Sequence, residues 1–134
     1  MPDNAVEDSV SLLPALLGTA KAPLHEAIVH HSINGSFAIR QGDWKLELCA
    51  DSGGWSAPTP GSVEAKGLPE TQLYDLRSDL AEAKNLHAER PEEVARLTNL
   101  LEQFIANGRS TPGAKQTNDV AIQIRKTKAR AAKK

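Results

Sequence analysis

The chain is expected to fold as an α+β domain, a four-stranded antiparallel sheet with one long C-terminal helix packed on one face. Three observations predict this. Residues 36–40 and 44–49 alternate apolar and polar side chains, the period of a half-buried strand. The turns before and between them, Asn34-Gly35 and Gln41-Gly42-Asp43, are short, and parallel neighbours would need crossovers of a dozen residues or more. Residues 91–107 carry the sequence's longest helical period, and its apolar stripe needs a sheet to cover it.

Taken in order, Val10, Leu13, Leu16 and Leu17 lie near one face at helical spacing, with Leu12 beside them. Asp8 or Ser9 can cap this segment and Gly18 can end it, while Pro14 restricts it to one or two short turns. So short an apolar helix needs another surface over it, and residues 1–20 are expected to form a junction with a missing neighbour. Residues 26–32 are β-rich around Ile28 and Val29 and form the first strand. In the second, Phe37 and Ile39 share a face. In the third, Trp44, Leu46 and Leu48 share one face and Lys45 and Glu47 the other. Residues 50–70 are rich in Gly, Pro and Ser without a period, and a loop of that length in a compact domain is more often functional than idle. Residues 71–76 form the fourth strand, and Ser78-Asp79 caps a short turn or helix through Asn85. Pro91 opens the long helix, Glu92 and Glu93 suit its positive first turn, and Asn107-Gly108 ends it. The sheet and helix thus occupy residues 21–108, and residues 109–134 form an irregular segment and a basic tail.

A chain of 134 residues supports about one modest core. With 40% hydrophobic and 25% charged residues it is neither a disordered chain nor a disulfide scaffold. The single cysteine, Cys49, excludes an internal disulfide and a CxxC zinc site. No apolar run approaches the roughly 18 residues of a membrane span, and the first four residues lack the basic and apolar regions of a signal peptide. The net charge of −1 conceals an asymmetry, because the last ten residues hold six of the 16 basic side chains and no acid. A nucleic-acid arm would interleave aromatics for stacking, and none is present, so the tail is read as solvated and no nucleic-acid or membrane partner is expected.

No Gly-rich phosphate loop, HExxH or GxSxG motif occurs, so no catalytic residue and no metal ligand is assigned. Cys49 has acidic neighbours, Glu47 and Asp51, which raise rather than lower a thiol pKa. Candidate substrate-binding residues are four. His30 and His31 are adjacent on a strand and must point to opposite faces, so one at most addresses a site and the other faces core or solvent. Gly54 and Trp55 lie in Ser52-Gly53-Gly54-Trp55-Ser56, where glycines permit close backbone approach and an indole can either stack on a ring or fill a neighbouring surface.

Three blocks carry a resemblance. Residues 32–46, Ser-Ile-Asn-Gly-Ser-Phe-Ala-Ile-Arg-Gln-Gly-Asp-Trp-Lys-Leu, are followed by Leu73-Tyr74-Asp75-Leu76 with Asp79, Glu82 and Asn85-Leu86, and then by Gly108-Arg109-Ser110-Thr111-Pro112-Gly113. In this order they resemble the C-terminal subdomain of bacterial type I sulfatases of the arylsulfatase A family, within the alkaline-phosphatase-like superfamily. The resemblance implies a parent that hydrolyses sulfate esters, is periplasmic or secreted, and holds calcium and a formylglycine nucleophile in an N-terminal catalytic domain. The formylglycine motif C/S-x-P-x-R is absent here; Ser56-Ala57-Pro58-Thr59-Pro60 lacks its arginine. This chain is therefore expected to be inactive alone and to border the parent's substrate cleft, with the catalytic domain as its partner. It implies too that Trp55 sits at the substrate side, that His30 or His31 helps bind substrate, and that Arg109 is a structural ion-pair partner. An independent small ligand-binding or oligomerisation module is the alternative, and exposed leucines would let the fragment self-associate.

Overall fold

The computed structural model describes residues 8–126. In chain order the elements are α1 (Leu13–Leu16), β1 (Ile28–His31), β2 (Phe37–Gln41), β3 (Trp44–Glu47), β4 (Gln72–Asp75) and α2 (Pro91–Asn107). The expected α+β architecture is met: the strands form one antiparallel sheet in the order β1-β2-β3-β4.

Register explains the core. Val29, Ile39, Leu46 and Leu73 stand opposite one another across the four strands, so one row of the sheet is entirely apolar. Ile39, Leu46, Leu73, Leu97 and Leu101 are the largest fully buried side chains, and they join the apolar stripe of α2 to that row. Val94, Phe104 and Ile105 extend the same stripe at partial burial. Gly108 follows the helix at φ +63, the left-handed cap that a glycine supplies without strain. A Cβ there would lie 2.5 Å from the Gln116 carbonyl oxygen, because the chain after α2 folds back on this point.

The turns obey the same local chemistry. The Gly35 amide donates to the Ser32 carbonyl at 2.9 Å, and Gly35 then takes φ +79, the turn-plus-left-handed residue of a short hairpin loop. Asn34 Oδ1 accepts from Ser32 Oγ, Ser36 N and Ser36 Oγ at 2.7, 3.1 and 2.8 Å, which fixes the turn internally.

Three expectations are refined by the structure. The N-terminal helix contracts to the single turn of α1, with Pro14 at its start and Gly18 at φ +65 beyond its end. Residues 77–85 form turns and no helix. Glu82 adopts φ +55, which breaks a helical path, and its carboxylate is drawn to Lys45 instead. The segment after α2 is irregular, yet Ile124 packs on the core at partial burial. The solvated tail falls mainly on residues 127–134, and the reading of residues 1–4 on the N-terminus; both lie outside the described residues. Among the described residues no helix is long and apolar enough to cross a membrane.

Candidate functional site

The second face of the sheet is polar where the first is apolar. His30, Ala38, Glu47 and Gln72 stand opposite one another across it, and Ile28, Arg40, Lys45 and Tyr74 form the next row. Lys45 Nζ lies 2.7 Å from Glu47 Oε1 and donates to Glu82 Oε1 and Oε2 at 2.7 and 2.8 Å. Lys45 belongs to the Trp-Lys-Leu block and Glu82 to the Leu-Tyr-Asp-Leu block, so this ion pair ties two of the sequence motifs together. Asn85 closes the second block on itself: its Oδ1 accepts from Leu73 N at 3.0 Å and from His87 N at 3.0 Å. Leu86 N donates to the Leu73 carbonyl at 2.8 Å, so residues 85 and 86 cover the outer edge of β4.

This face has its own electrostatics. Burial opposes the Lys45 charge, but hydrogen bonds to Glu47 and Glu82 and their charges outweigh it and hold the ammonium above its usual range. Burial, then the Glu47 and Glu82 charges, push the Tyr74 phenol up. Both groups keep their protons longer in the folded chain than in the unfolded one. Their contribution is therefore complete below the unfolded values of about 10 and is lost as pH climbs through the folded ones. Urea midpoints measured from pH 8 to 11.5 are expected to fall above pH 10. Lys45→Arg, which keeps the charge, together with Tyr74→Phe should flatten that fall; an identical fall in the double variant would contradict the assignment.

The two histidines separate as adjacent strand residues must. His30 lies on the polar face, where burial and the nearby Lys45 charge lower its pKa and favour the neutral imidazole. His31 lies on the helix side, edge-on to Phe37 with ring centroids 4.1 Å apart and planes at 70°. It borders a cavity of about 490 Å³ between β1 and the C-terminal end of α2, with Val29, Phe37, Leu101 and Phe104 among its apolar walls.

Gly54 and Trp55 sit in a built loop at the end of the sheet where β1 and β3 terminate. Gln72 Nε2 donates to the Cys49 and Asp51 carbonyls at 2.9 and 3.0 Å and so holds the loop's first residues. Asp51 Oδ1 accepts from Gly53 N at 2.8 Å, and Ser52 Oγ donates to the Ser56 carbonyl at 2.6 Å. The Asn34 amide reaches the Gly53 carbonyl at 3.2 Å, which seats the loop on the β1–β2 turn. Gly53 stands at φ +65, and a Cβ on it would fall 2.6 Å from Ser32 Cβ and Oγ. The structure thus brings Gly54 and Trp55 to the turn that follows the two histidines. Trp55 itself is 86% exposed, an indole displayed rather than packed.

Two basic residues read as the start of the solvated tail, Arg125 and Lys126, instead bond to this end of the sheet. Arg125 Nη1 donates to Thr71 Oγ1 at 3.0 Å, and the Lys126 ammonium donates to the Asn34 carbonyl. Only the apolar residues at 120, 122 and 124 in an otherwise polar stretch signal that the chain returns here. Cys49 is half-buried and donates to the Asp51 carbonyl at 3.2 Å; burial, then the Glu47 charge, raises its thiol, as its acidic neighbours led one to expect. Arg109 is structural, holding the carbonyls of Thr111, Ala114 and Pro112 at 2.9 to 3.0 Å. Among the described residues no three His, Cys, Asp or Glu side chains gather as metal ligands.

No family model matches the chain. Over 102 residues it is 34% identical to the N-acetylgalactosamine-6-O-sulfatase of Bacteroides thetaiotaomicron, covering 76% of this chain and 19% of that protein. A solved structure from work on the metabolism of multiple glycosaminoglycans by Bacteroides thetaiotaomicron is also 34% identical, with a TM-score of 0.59 over 77% of this chain and 21% of the other. The likeness to the C-terminal subdomain of sulfatases, read from three sequence blocks, is met in sequence and in fold. The chain spans about a fifth of the length of these relatives.

Proposed function

From a likeness to sulfatases that spans a fifth of their length, we propose that this chain is the C-terminal subdomain of a sulfate ester hydrolase and borders its substrate cleft. The observation that carries this reading is the built loop at residues 51–56, which holds Trp55 at 86% exposure beside the turn after His30 and His31. An exposed indole on a fixed loop suits the face of a sugar or aryl group. Arg125 and Lys126 at the same end add positive charge where a sulfate ester approaches. His30, on the polar face, offers a hydrogen bond to the substrate, while His31 packs on Phe37 on the opposite, helix side.

The nucleophile and the metal are assigned to the rest of the longer protein. The residues of this chain do not fit them, since C/S-x-P-x-R does not occur and the described residues form no metal-holding group. No step of the reaction is assigned to this chain; it binds and shapes. By the same likeness the longer protein is taken to be periplasmic or secreted.

Trp55→Ala in the longer polypeptide tests the reading. Losing a stacking contact worth about 0.5–1.5 kcal/mol should raise KM for a sulfated substrate about two- to tenfold and leave kcat nearly unchanged. A KM equal to the parent's would remove Trp55 from the cleft.

A further inference from the structure

A displayed side chain cannot fix its own position, so at 86% exposure Trp55 stands where the backbone on either side of it is held. That backbone is pinned at Gly53, whose amide donates to Asp51 Oδ1 and whose carbonyl accepts from the Asn34 amide. It is pinned again at Ser56, whose carbonyl accepts from Ser52 Oγ. The root of the loop rests on one side chain, since the Cys49 and Asp51 carbonyls share Gln72 Nε2 as donor at 2.9 and 3.0 Å. A carboxamide turned over would aim its oxygen at both carbonyls. Tyr74 completes the arrangement: its hydroxyl donates to Gln72 Oε1 at 2.7 Å, so carbonyls at one end and a hydroxyl at the other satisfy a single orientation. Tyr74 is 6% exposed and lies two residues from Gln72 on the same face of β4. Lys45, opposite Tyr74 in register, is taken up by Glu47 and Glu82 and does not serve the loop in its place.

We propose that Gln72 and Tyr74 are positioning residues for the substrate loop: the Tyr74 hydroxyl orients the Gln72 carboxamide, and the carboxamide sets where Trp55 stands. Both act through the loop backbone and not by touching substrate. Holding a binding group in place lowers the cost of ordering it when the ligand arrives, so their loss weakens binding. The kinetic half of this inference rests on the reading of Trp55 as a substrate-binding residue, and the structural half stands without it.

Hydrogen exchange in the 134-residue chain tests the structural half. Gln72→Met keeps the length of the side chain and removes its donor and acceptor. The Gly53 and Asn34 amides should then exchange about tenfold faster, while the Ile39 and Leu46 amides, paired in the core, keep their rates. Should the core amides loosen as well, Gln72→Glu, of the same shape without the donor, takes its place. Tyr74→Phe should speed the Gly53 and Asn34 amides by a smaller factor, about two- to fivefold. It should change nothing further in the Gln72→Met background, because the hydroxyl has no carboxamide left to orient. In the longer polypeptide, Gln72→Met should raise KM about two- to tenfold with kcat nearly unchanged, and should add nothing to Trp55→Ala. Unchanged loop exchange in the Gln72 variant, or an undiminished Tyr74→Phe effect in its background, would overturn the relay irrespective of kinetics. Released loop amides with the parent's KM, or with a rise in KM that persists in the Trp55→Ala background, would overturn positioning through Trp55. Released loop amides beside a Trp55→Ala variant that itself keeps the parent's KM would uphold the relay and remove the functional reading alone.

Discussion

Replacing Leu46 with alanine is expected to destabilise the 134-residue chain by about 2–5 kcal/mol, the cost of lost apolar burial plus the cavity left behind. Leu46 is 0% exposed and stands between Ile39 and Leu73 in register, so strand backbones hold the walls of that cavity apart. The net stability of a domain is only about 5–15 kcal/mol, so the loss is a large share. Urea titration should show a lowered midpoint with little change in slope, and thermal unfolding should shift down by about 10 °C or more. Leu80→Ala provides the contrast: Leu80 is 85% exposed, and its loss should stay within about 0.5 kcal/mol. Equal effects at the two positions would contradict the assignment of the core.

Gly53→Val is expected to detach the site loop from the β1–β2 turn. Two costs combine there. The left-handed backbone at φ +65 strains a β-branched residue by about 1–3 kcal/mol. The new Cβ would also meet Ser32 Cβ and Oγ at 2.6 Å, which forces loop and turn apart. Gly61→Val separates the two, because Gly61 has φ +78 and nothing within 4 Å of a Cβ. Only the Gly53 variant should lose amide protection at Asn34 together with substrate affinity in the longer polypeptide. If both variants behave alike, the loop is not seated as described and the site loses its foundation.

The contrast between these positions shows how much the sequence disclosed. The faces that carry Ile39 and Leu46 were legible because alternation is a local pattern, and the turns at Gly35 and Gly42 pointed to an antiparallel order. The opposite faces of His30 and His31 follow from strand geometry alone. What stayed hidden is long-range. Nothing near Lys45 foretells that Glu82, 37 residues on, adopts a left-handed backbone and reaches it. Nothing near Trp55 foretells that Gly53 packs on Ser32, or that Lys126 arrives beside Asn34 across 92 residues. The bonds from Arg109 to the carbonyls of Thr111, Ala114 and Pro112 are likewise of a kind that a sequence pattern does not distinguish.

The most direct measurement is sulfate release from a generic aryl sulfate, by the 134-residue chain and by the longer polypeptide under the same conditions. The account predicts turnover from the longer polypeptide and background from this chain, since the proposal assigns the nucleophile and the metal to the rest of the longer protein. Turnover by the 134-residue chain alone would contradict it.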